Sequence, residues 1–227
     1  MTANAARRLL IAIDGPSGAG KGTVARAVAA RLSYRHVDTG AMYRALAWKA
    51  VCERVDLDDE EALAALAARI TIEVGDGVVR VDGGDVRQAI RTPEIDRAAA
   101  AVARQPGVRQ VLIAQQREMG ARGGVVMEGR DIGTVVFPGA EVKVYLDASP
   151  EERARRRATD AGHASGKGTA GVTEVASALA ERDRSDTTRA ASPLALAADA
   201  VRIDTTGVPI DEVVDRIMAL VQQRDQR

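Results

Sequence analysis

The chain has 227 residues, 46% of them hydrophobic and 28% charged, with 32 Lys and Arg balanced by 32 Asp and Glu. That size suits one α/β domain with insertions, burying roughly 70% of its extended-chain surface. The neutral total gives no reason to expect a nucleic-acid partner, and an aromatic content of 2% excludes a stacking platform for single strands, so any positive field must be local.

Met1 to Ala6 reads as a loose terminus. Arg7 and Arg8 lead straight into LLIAI rather than to a cleavage site, and no apolar run approaches the roughly 20 residues of a membrane span, so a cytoplasmic protein without membrane partners is expected. Leu9 to Ile13 is apolar throughout, as a central parallel strand covered on both faces requires. It runs into a glycine-rich turn of Gly15, Pro16, Ser17, Gly18, Ala19, Gly20, Lys21, Gly22 and Thr23, followed by helical periodicity to Leu32. Strand, turn and helix in that order let backbone N–H groups wrap a phosphate, with Lys21 reaching the β/γ-phosphates and Thr23 facing Mg²⁺ directly or through water. Gly22 stands where the general pattern has Ser or Thr, and the hydroxyl arrives one residue later. Asp14 either supports the loop or ends the strand.

Tyr34 to Val37 is a second short strand, ending in Asp38, Thr39 and Gly40, and an amphipathic helix follows. Strand-end loops hold ligands in open α/β sheets, so Thr39 and Arg44 are candidates for gripping a second, monophosphate-bearing substrate. His36 reads as a strand residue rather than a base, and Cys52, the only cysteine, as a buried small side chain. A helix over Asp58 to Ala68 precedes alternation at Ile72, Val74, Val79 and Val81, a hairpin followed by a turn at Gly83 and Gly84. This interrupts the βα rhythm and marks about residues 60–105 as an inserted lobe. Helices over Pro93 to Ala103 and Val108 to Met119 follow, the second carrying Arg109 off its apolar stripe and toward a cleft.

The apolar strand Gly124 to Met127 ends in Glu128, Gly129, Arg130 and Asp131. A carboxylate there, Glu128 or Asp131, would orient Mg²⁺ or its waters, while Arg130 would clamp a transferring phosphoryl group. After a strand over Glu141 to Leu146, a helix starting at Pro150 carries Arg153, Arg155, Arg156 and Arg157; a Gly- and Ala-rich segment from Gly162 to Gly171 follows, then a helix over Val172 to Glu181 and the charged run Arg182 to Arg189. This reads as an arginine-bearing lid that excludes water on closing, with Arg157 assigned to ATP. Ala200 to Asp204 closes the sheet, and a helix over Ile210 to Val221, with Ile210, Val213, Val214, Ile217 and Leu220 as its apolar, core-facing side, ends the fold. No nucleophile has an adjacent general base and no Asn-Lys-x-Asp run reads guanine. In-line transfer of the γ-phosphoryl of ATP, with Mg²⁺, to a small acceptor needs neither.

Four stretches, DGPSGAGKGT (Asp14 to Thr23), VDTGAMYRA (Val37 to Ala45), EGRDIGTVVFP (Glu128 to Pro138) and RDRSDTTRAASPL (Arg182 to Leu194), together resemble the bacterial cytidylate kinase family, the CMP/dCMP kinases. The resemblance implies an α/β P-loop nucleoside-monophosphate kinase fold: a five-stranded parallel sheet flanked by helices, a mobile lid and an inserted β-containing acceptor-site lobe. One kinase domain over residues 1–227 is expected, with its core at about 8–40, 107–150 and 190–225, the acceptor region at about 41–106 and the lid at about 151–189. CMP and dCMP are the implied small-molecule partners, and a monomer is expected. The resemblance sets Lys21, Arg130 and Arg182 as the catalytic cations, and Arg44 and Arg130 on the acceptor phosphate and transferring group. It places Thr39, Arg109 and Asp131 around the pyrimidine, Asp186 on the pentose, and Arg182 and Arg189 on phosphates, with Glu128 completing the acceptor set. Thr39 stands for a serine of some relatives, Glu128 for an aspartate, and Ala100 for a serine hydroxyl near the base. A UMP/CMP or adenylate-type kinase, and a nucleotide-responsive binding protein without turnover, are the alternatives.

Overall fold

The computed structural model describes residues 8–159 and 169–225. The expected loose terminus Met1 to Ala6, His163 and most of the Gly- and Ala-rich segment lie outside the described residues. In chain order the elements are β1 (Leu10–Asp14), α1 (Lys21–Leu32), β2 (Arg35–Asp38), α2 (Thr39–Glu53), α3 (Glu60–Arg69), β3 (Ile72–Gly75), β4 (Val78–Val81), β5 (Gly84–Asp85), α4 (Pro93–Val102) and α5 (Pro106–Gly120). There follow β6 (Val125–Gly129), a π-helical turn (Ile132–Val136), β7 (Val142–Asp147), α6 (Pro150–Thr159), α7 (Thr169–Thr188), β8 (Val201–Asp204) and α8 (Ile210–Asp225).

Five strands pair in parallel in the order β2-β6-β1-β7-β8. Strand β1 is central and buried at all five positions, because helices cover both faces. On one face Ile11, Ile13, Val126 and Val144 pack with Val24 and Val28 of α1 and Val213, Val214 and Ile217 of α8. A second core joins Met42 and Leu46 of α2 to Leu63 and Leu66 of α3, Val81 of β4, Ile95 of α4 and Leu112 of α5. Each fully buried aliphatic side chain of this kind contributes about 1.5–3 kcal/mol. The chain passes from β1 out to β2, returns at β6 and crosses to β7, so the loop after β1 opens where the strand order reverses, the usual ligand crevice of such sheets.

Side-chain caps fix the helix starts. Asp38 accepts from the Ala41 N–H at 2.9 Å, Asp59 from Ala62 at 2.9 Å, and Thr92, ahead of Pro93, from Ile95 at 3.2 Å. The antiparallel sheet β3-β4-β5 docks on the free edge of β2: the Asp76 N–H donates to the His36 carbonyl at 3.2 Å and the His36 N–H to Asp76 Oδ1 at 3.1 Å.

Several local expectations are corrected. Cys52 is exposed, because the buried face of α2 ends at Ala50 and Cys52 falls off it. Helix α7 runs on through Thr188 instead of ending near Glu181, since its charged residues find partners on other elements: Arg182 on Asp96, Asp183 on Arg153, Asp186 on Arg130. Gly84, read as part of a turn, forms with Asp85 a third strand against Arg80 and Val81. Ile210, read as core, is 49% exposed.

Gly15 shows why β1 must end as it does. Its φ is +147°, and a Cβ there would lie 2.0 Å from the Leu146 carbonyl oxygen of β7. Gly15→Ala is therefore expected to cost at least about 1–3 kcal/mol, read as a lower Tm, and to loosen the loop that follows.

Candidate active site

Strand register gathers the polar ends of three strands at one rim, pairing Ile13 with Glu128, Asp14 with Gly129 and Asp38 with Glu128. Beyond them opens a cleft of about 830 Å³, lined by residues 17–24, by Asp38 to Gly40, Tyr43 and Arg44 of the β2–α2 corner, by Ala99 and Ala100 of α4 and Ala103 just past its end, by Glu128 to Asp131, and by residues of α5, α6 and α7. One cavity thus brings together the glycine-rich turn and every substrate-side candidate: Thr39, Arg44, Arg109, Glu128, Arg130, Asp131, Arg182, Asp186 and Arg189. Of the donor-side candidates, Ser17 to Thr23 and Arg157 line it, while Gly15 and Pro16 lie behind the wall.

The turn enters α1 through Gly20 at φ +88°, a left-handed position, so α1 opens toward the cleft with Lys21 as its first residue. Lys21 is buried and its Nζ donates to the Pro16 carbonyl at 2.6 Å. Burial, and next the Arg130 charge, push its pKa down to about 7. Thr23 lies exposed in the first turn. Glu128 lies against the same turn: a Cβ on Gly22 would sit 3.2 Å from its Oε1. The other oxygen contact of note is with His36, whose Nε2 lies 2.9 Å from Glu128 Oε1. The Thr39 hydroxyl, on a residue lining the cleft, donates to the Glu128 carbonyl at 2.7 Å.

The substrate-side candidates form a chain of charge-assisted bonds. Arg44 Nη2 donates to Asp38 Oδ2 at 2.9 Å. Arg109, buried in α5, pairs closely with Asp131 and stacks over the Tyr43 ring with its guanidinium carbon 5.3 Å from the centroid. Arg189 reaches Asp131 Oδ1 at 3.7 Å and Asp186 Oδ1 at 3.6 Å. Arg130 Nε donates to Asp186 Oδ2 at 2.8 Å. Burial alone would raise the Asp186 pKa, but Arg130 and Arg182 outweigh it and hold the carboxyl below its ordinary value. Burial, followed by Arg130, brings Arg182 down to about 10.

The four arginines of α6 divide. Arg153 is a bracket beneath the loop, with Nη1 donating to the Ser17 carbonyl at 3.2 Å and pairing with Asp183. Arg155, Arg156 and Arg157 line the cleft, Arg156 donating to the Thr205 carbonyl at 2.6 Å. Arg157 pairs with Asp96 of α4, and Arg182 Nη1 lies 3.4 Å from the other oxygen of the same carboxylate.

Sequence reasoning singled out neither Asp38 nor Asp96, nor Tyr43 as a wall of the cleft. Asp14, read as supporting the loop or ending the strand, is a support for a different segment: its two oxygens accept from the N–H groups of Ile132 at 2.9 Å and Gly133 at 2.7 Å. Burial, only partly offset by those donors, pushes its pKa up to about 6. The π-helical turn that Asp14 holds follows directly on Arg130 and Asp131, so Asp14 fixes the direction in which the chain leaves β6. Exposed Ile210 joins Val208 and Pro209 as an apolar rim of the cleft. Its periodicity had marked it as core, and only the fold reveals the opening.

The cleft is rich in donors and short of acceptors. Buried nitrogens of four of its arginines, Arg44 Nε, Arg109 Nε, Arg182 Nε and Arg189 Nη2, have no hydrogen-bond partner among the described residues. Orphaned buried donors are costly, and phosphate oxygens are the acceptors that would satisfy such a set. The residues therefore fit a polyphosphate ligand. No group of three or more His, Cys, Asp and Glu among the described residues could hold a metal by itself. Mg²⁺ commonly draws most of its ligands from substrate phosphates and water, and the Thr23 hydroxyl fits that arrangement.

A family model described as cytidylate kinase matches residues 11–223. A cytidylate kinase of Solibacter usitatus is 48% identical over 218 residues, covering 96% of this chain and 94% of that protein. One from Pelotomaculum thermopropionicum is 50% identical over 216 residues, covering 93% and 95%. Among solved structures, a shikimate kinase from Bacteroides thetaiotaomicron aligns over 94% of this chain and 98% of its own with a TM-score of 0.51 at 13% identity, a likeness of fold alone.

Proposed function

Since the chain belongs to the cytidylate kinase family and its reaction is the ATP-dependent phosphorylation of CMP and dCMP, we propose that the single cleft seats donor and acceptor end to end. The observation that carries this is the convergence of Lys21, Arg44, Arg130, Arg182 and Arg189 on one cavity behind a left-handed glycine turn.

In this reading Gly15 to Thr23 and Arg157 hold ATP, with the N–H groups at the start of α1 on its phosphates. Thr23 holds Mg²⁺, whose chemistry when bound is to neutralise charge on the phosphate oxygens. Arg44 grips the CMP phosphate, while Arg109, Asp131 and Thr39 frame the cytosine, Asp131 accepting from its exocyclic amine. Asp186 takes the pentose. Lys21, Arg130 and Arg182 meet charge that develops on the transferring group, so no side chain needs to act as nucleophile. Residues of about 41–106 serve the acceptor and those of about 151–189 form a lid that closes over both. The working unit is a monomer acting on small molecules in the cytoplasm, without nucleic-acid or membrane partners. No helix among the described residues is long and apolar enough to cross a membrane.

A coupled assay with ATP and a panel of CMP, dCMP, UMP, AMP and shikimate tests the assignment. Cytidine nucleotides should give the highest kcat/KM. A higher value for any other acceptor would overturn the base assignment of Arg109 and Asp131, and tight ATP binding without product on any acceptor would mark a binding protein instead.

A further inference from the structure

His36 has no part in the site assigned above, yet it is the residue best placed to control Glu128. In the parallel register His36 faces Val126, so Glu128, two residues further along β6, is its diagonal neighbour on the same face of the sheet. Apart from Asp38, which pairs directly with Glu128 and is engaged by Arg44, that face is apolar, with Val126 packing into the core beneath α1. An imidazole and a carboxylate at the end of such a face are costly unless they satisfy each other. Their side chains are only 6% and 8% exposed, and Nε2 lies 2.9 Å from Oε1. An ionised carboxylate only accepts, so Nε2 carries the proton and donates it.

The mount is rigid from the other side as well. Both backbone groups of His36 are tied to Asp76, at 3.1 and 3.2 Å, where the inserted hairpin caps the edge of β2. Glu128 in turn lies against Gly22 in the first turn of α1 and acts electrostatically on Lys21 and Arg130. A buried imidazole anchored by its backbone thus holds one oxygen of a carboxylate that borders the phosphate loop.

We propose that His36 is a positioning residue for phosphoryl transfer, its Nε2–H fixing the Glu128 carboxylate against the start of α1 so that the carboxylate meets the donor phosphates and their metal in one orientation. This rests on the reading of Glu128 as a cleft carboxylate used in the reaction. It also gives the inserted hairpin a connection to the donor end of the cleft, through the backbone of a single residue.

The test is a double-mutant cycle in the full chain with His36→Leu, Glu128→Gln and the pair. Each variant is read by kcat, by KM for CMP, by ATP affinity with and without Mg²⁺ from calorimetry, and by Tm. His36→Leu should lower kcat about 10-fold, as loss of an orienting partner typically does, leave KM for CMP unchanged and shrink the gain in ATP affinity that Mg²⁺ brings. In the Glu128→Gln background the same replacement should cost nothing more. His36→Gln, whose amide nitrogen can reach the Nε2 position, should restore most of kcat, and His36→Asn, which is too short, should not. Equal losses in both backgrounds, equal behaviour of the Gln and Asn variants, or a lower Tm with unchanged kcat and Mg²⁺ response would overturn the role of His36. If Glu128→Gln alone leaves rate and nucleotide affinity intact, the reading of Glu128 falls. If Glu128→Gln is impaired while His36→Leu is not, only the inference about His36 falls. Should His36→Leu fail to fold, the Gln and Asn pair carries the same decision.

Discussion

Arg130→Ala should lower kcat by about 100- to 1,000-fold, the loss typical of removing one preorganised charge donor from a transition state. Arg130 sits just past the end of β6, with one edge of its guanidinium donating to Asp186 at 2.8 Å and Nη1 lying 3.4 Å from the Gly129 carbonyl. Its charge is felt by both Lys21 and Arg182, so it stands between the glycine-rich turn and α7. On the proposed assignment, its removal would take charge away from the centre of the transfer while Arg44 would still hold the acceptor phosphate. The expected signature is a loss concentrated in kcat, with a smaller rise in KM for CMP. Arg130→Lys should recover little, because an ammonium cannot hold Asp186 and face phosphate with the fixed fork of a guanidinium. The freed Asp186 keeps Arg182 and Arg189 near it, so Tm should change modestly; an unchanged kcat would remove Arg130 from the mechanism.

Lys21→Met should reduce kcat/KM for ATP by at least about 100-fold, on the same grounds of lost charge stabilisation, and should also abolish a pH dependence. In the free protein, burial and the Arg130 charge bring Lys21 from 10.5 to about 7. Phosphate oxygens favour the ammonium, so ATP binding raises this pKa again. Above about pH 7 binding must then take up a proton, and ATP affinity should weaken by up to about tenfold per pH unit. Calorimetry in buffers of different ionisation enthalpy reads the proton directly, and the Met variant subtracts the titration of the nucleotide itself. The folding equilibrium moves the other way. A lysine whose folded pKa is depressed destabilises the protein once it is charged, so stability should rise between about pH 7 and 10.5 and level off below about 7, where both states carry the proton. A flat affinity profile in the unmodified chain would show that Lys21 stays protonated without ligand.

The sheet was legible because its strands are short apolar runs bounded by turn residues. Each of the five begins one residue later than its pattern suggests, and four of them run one or two residues further. Those added residues, among them Asp14, Asp38 and Glu128, are polar groups that hydrophobicity assigns to loops but that ladder bonds keep in the strand. The glycine-rich turn was readable since φ +80° at Gly18 and +88° at Gly20 are conformations that favour glycine. What escaped was pairing at a distance. Nothing local in PEIDRA announces that Asp96 will meet arginines 61 and 86 residues away, nor in YRHVD that His36 will face Glu128. Cys52 was misjudged for the complementary reason, since residue type speaks for burial on average while the helix face decides each case.

The double hold of Asp96 on Arg157 and Arg182 bears on how salt affects the enzyme. Two guanidinium groups, one from α6 and one from α7, already share a carboxylate of α4, so a nucleotide that claims them performs an anion exchange rather than an addition. The displaced carboxylate stays in the molecule, and fewer bulk ions change places than the number of cations in the cleft suggests. On the proposed assignment of Arg157 and Arg182, the affinity for ATP should therefore fall less steeply with ionic strength than so basic a cavity implies, and Asp96→Asn should steepen that slope.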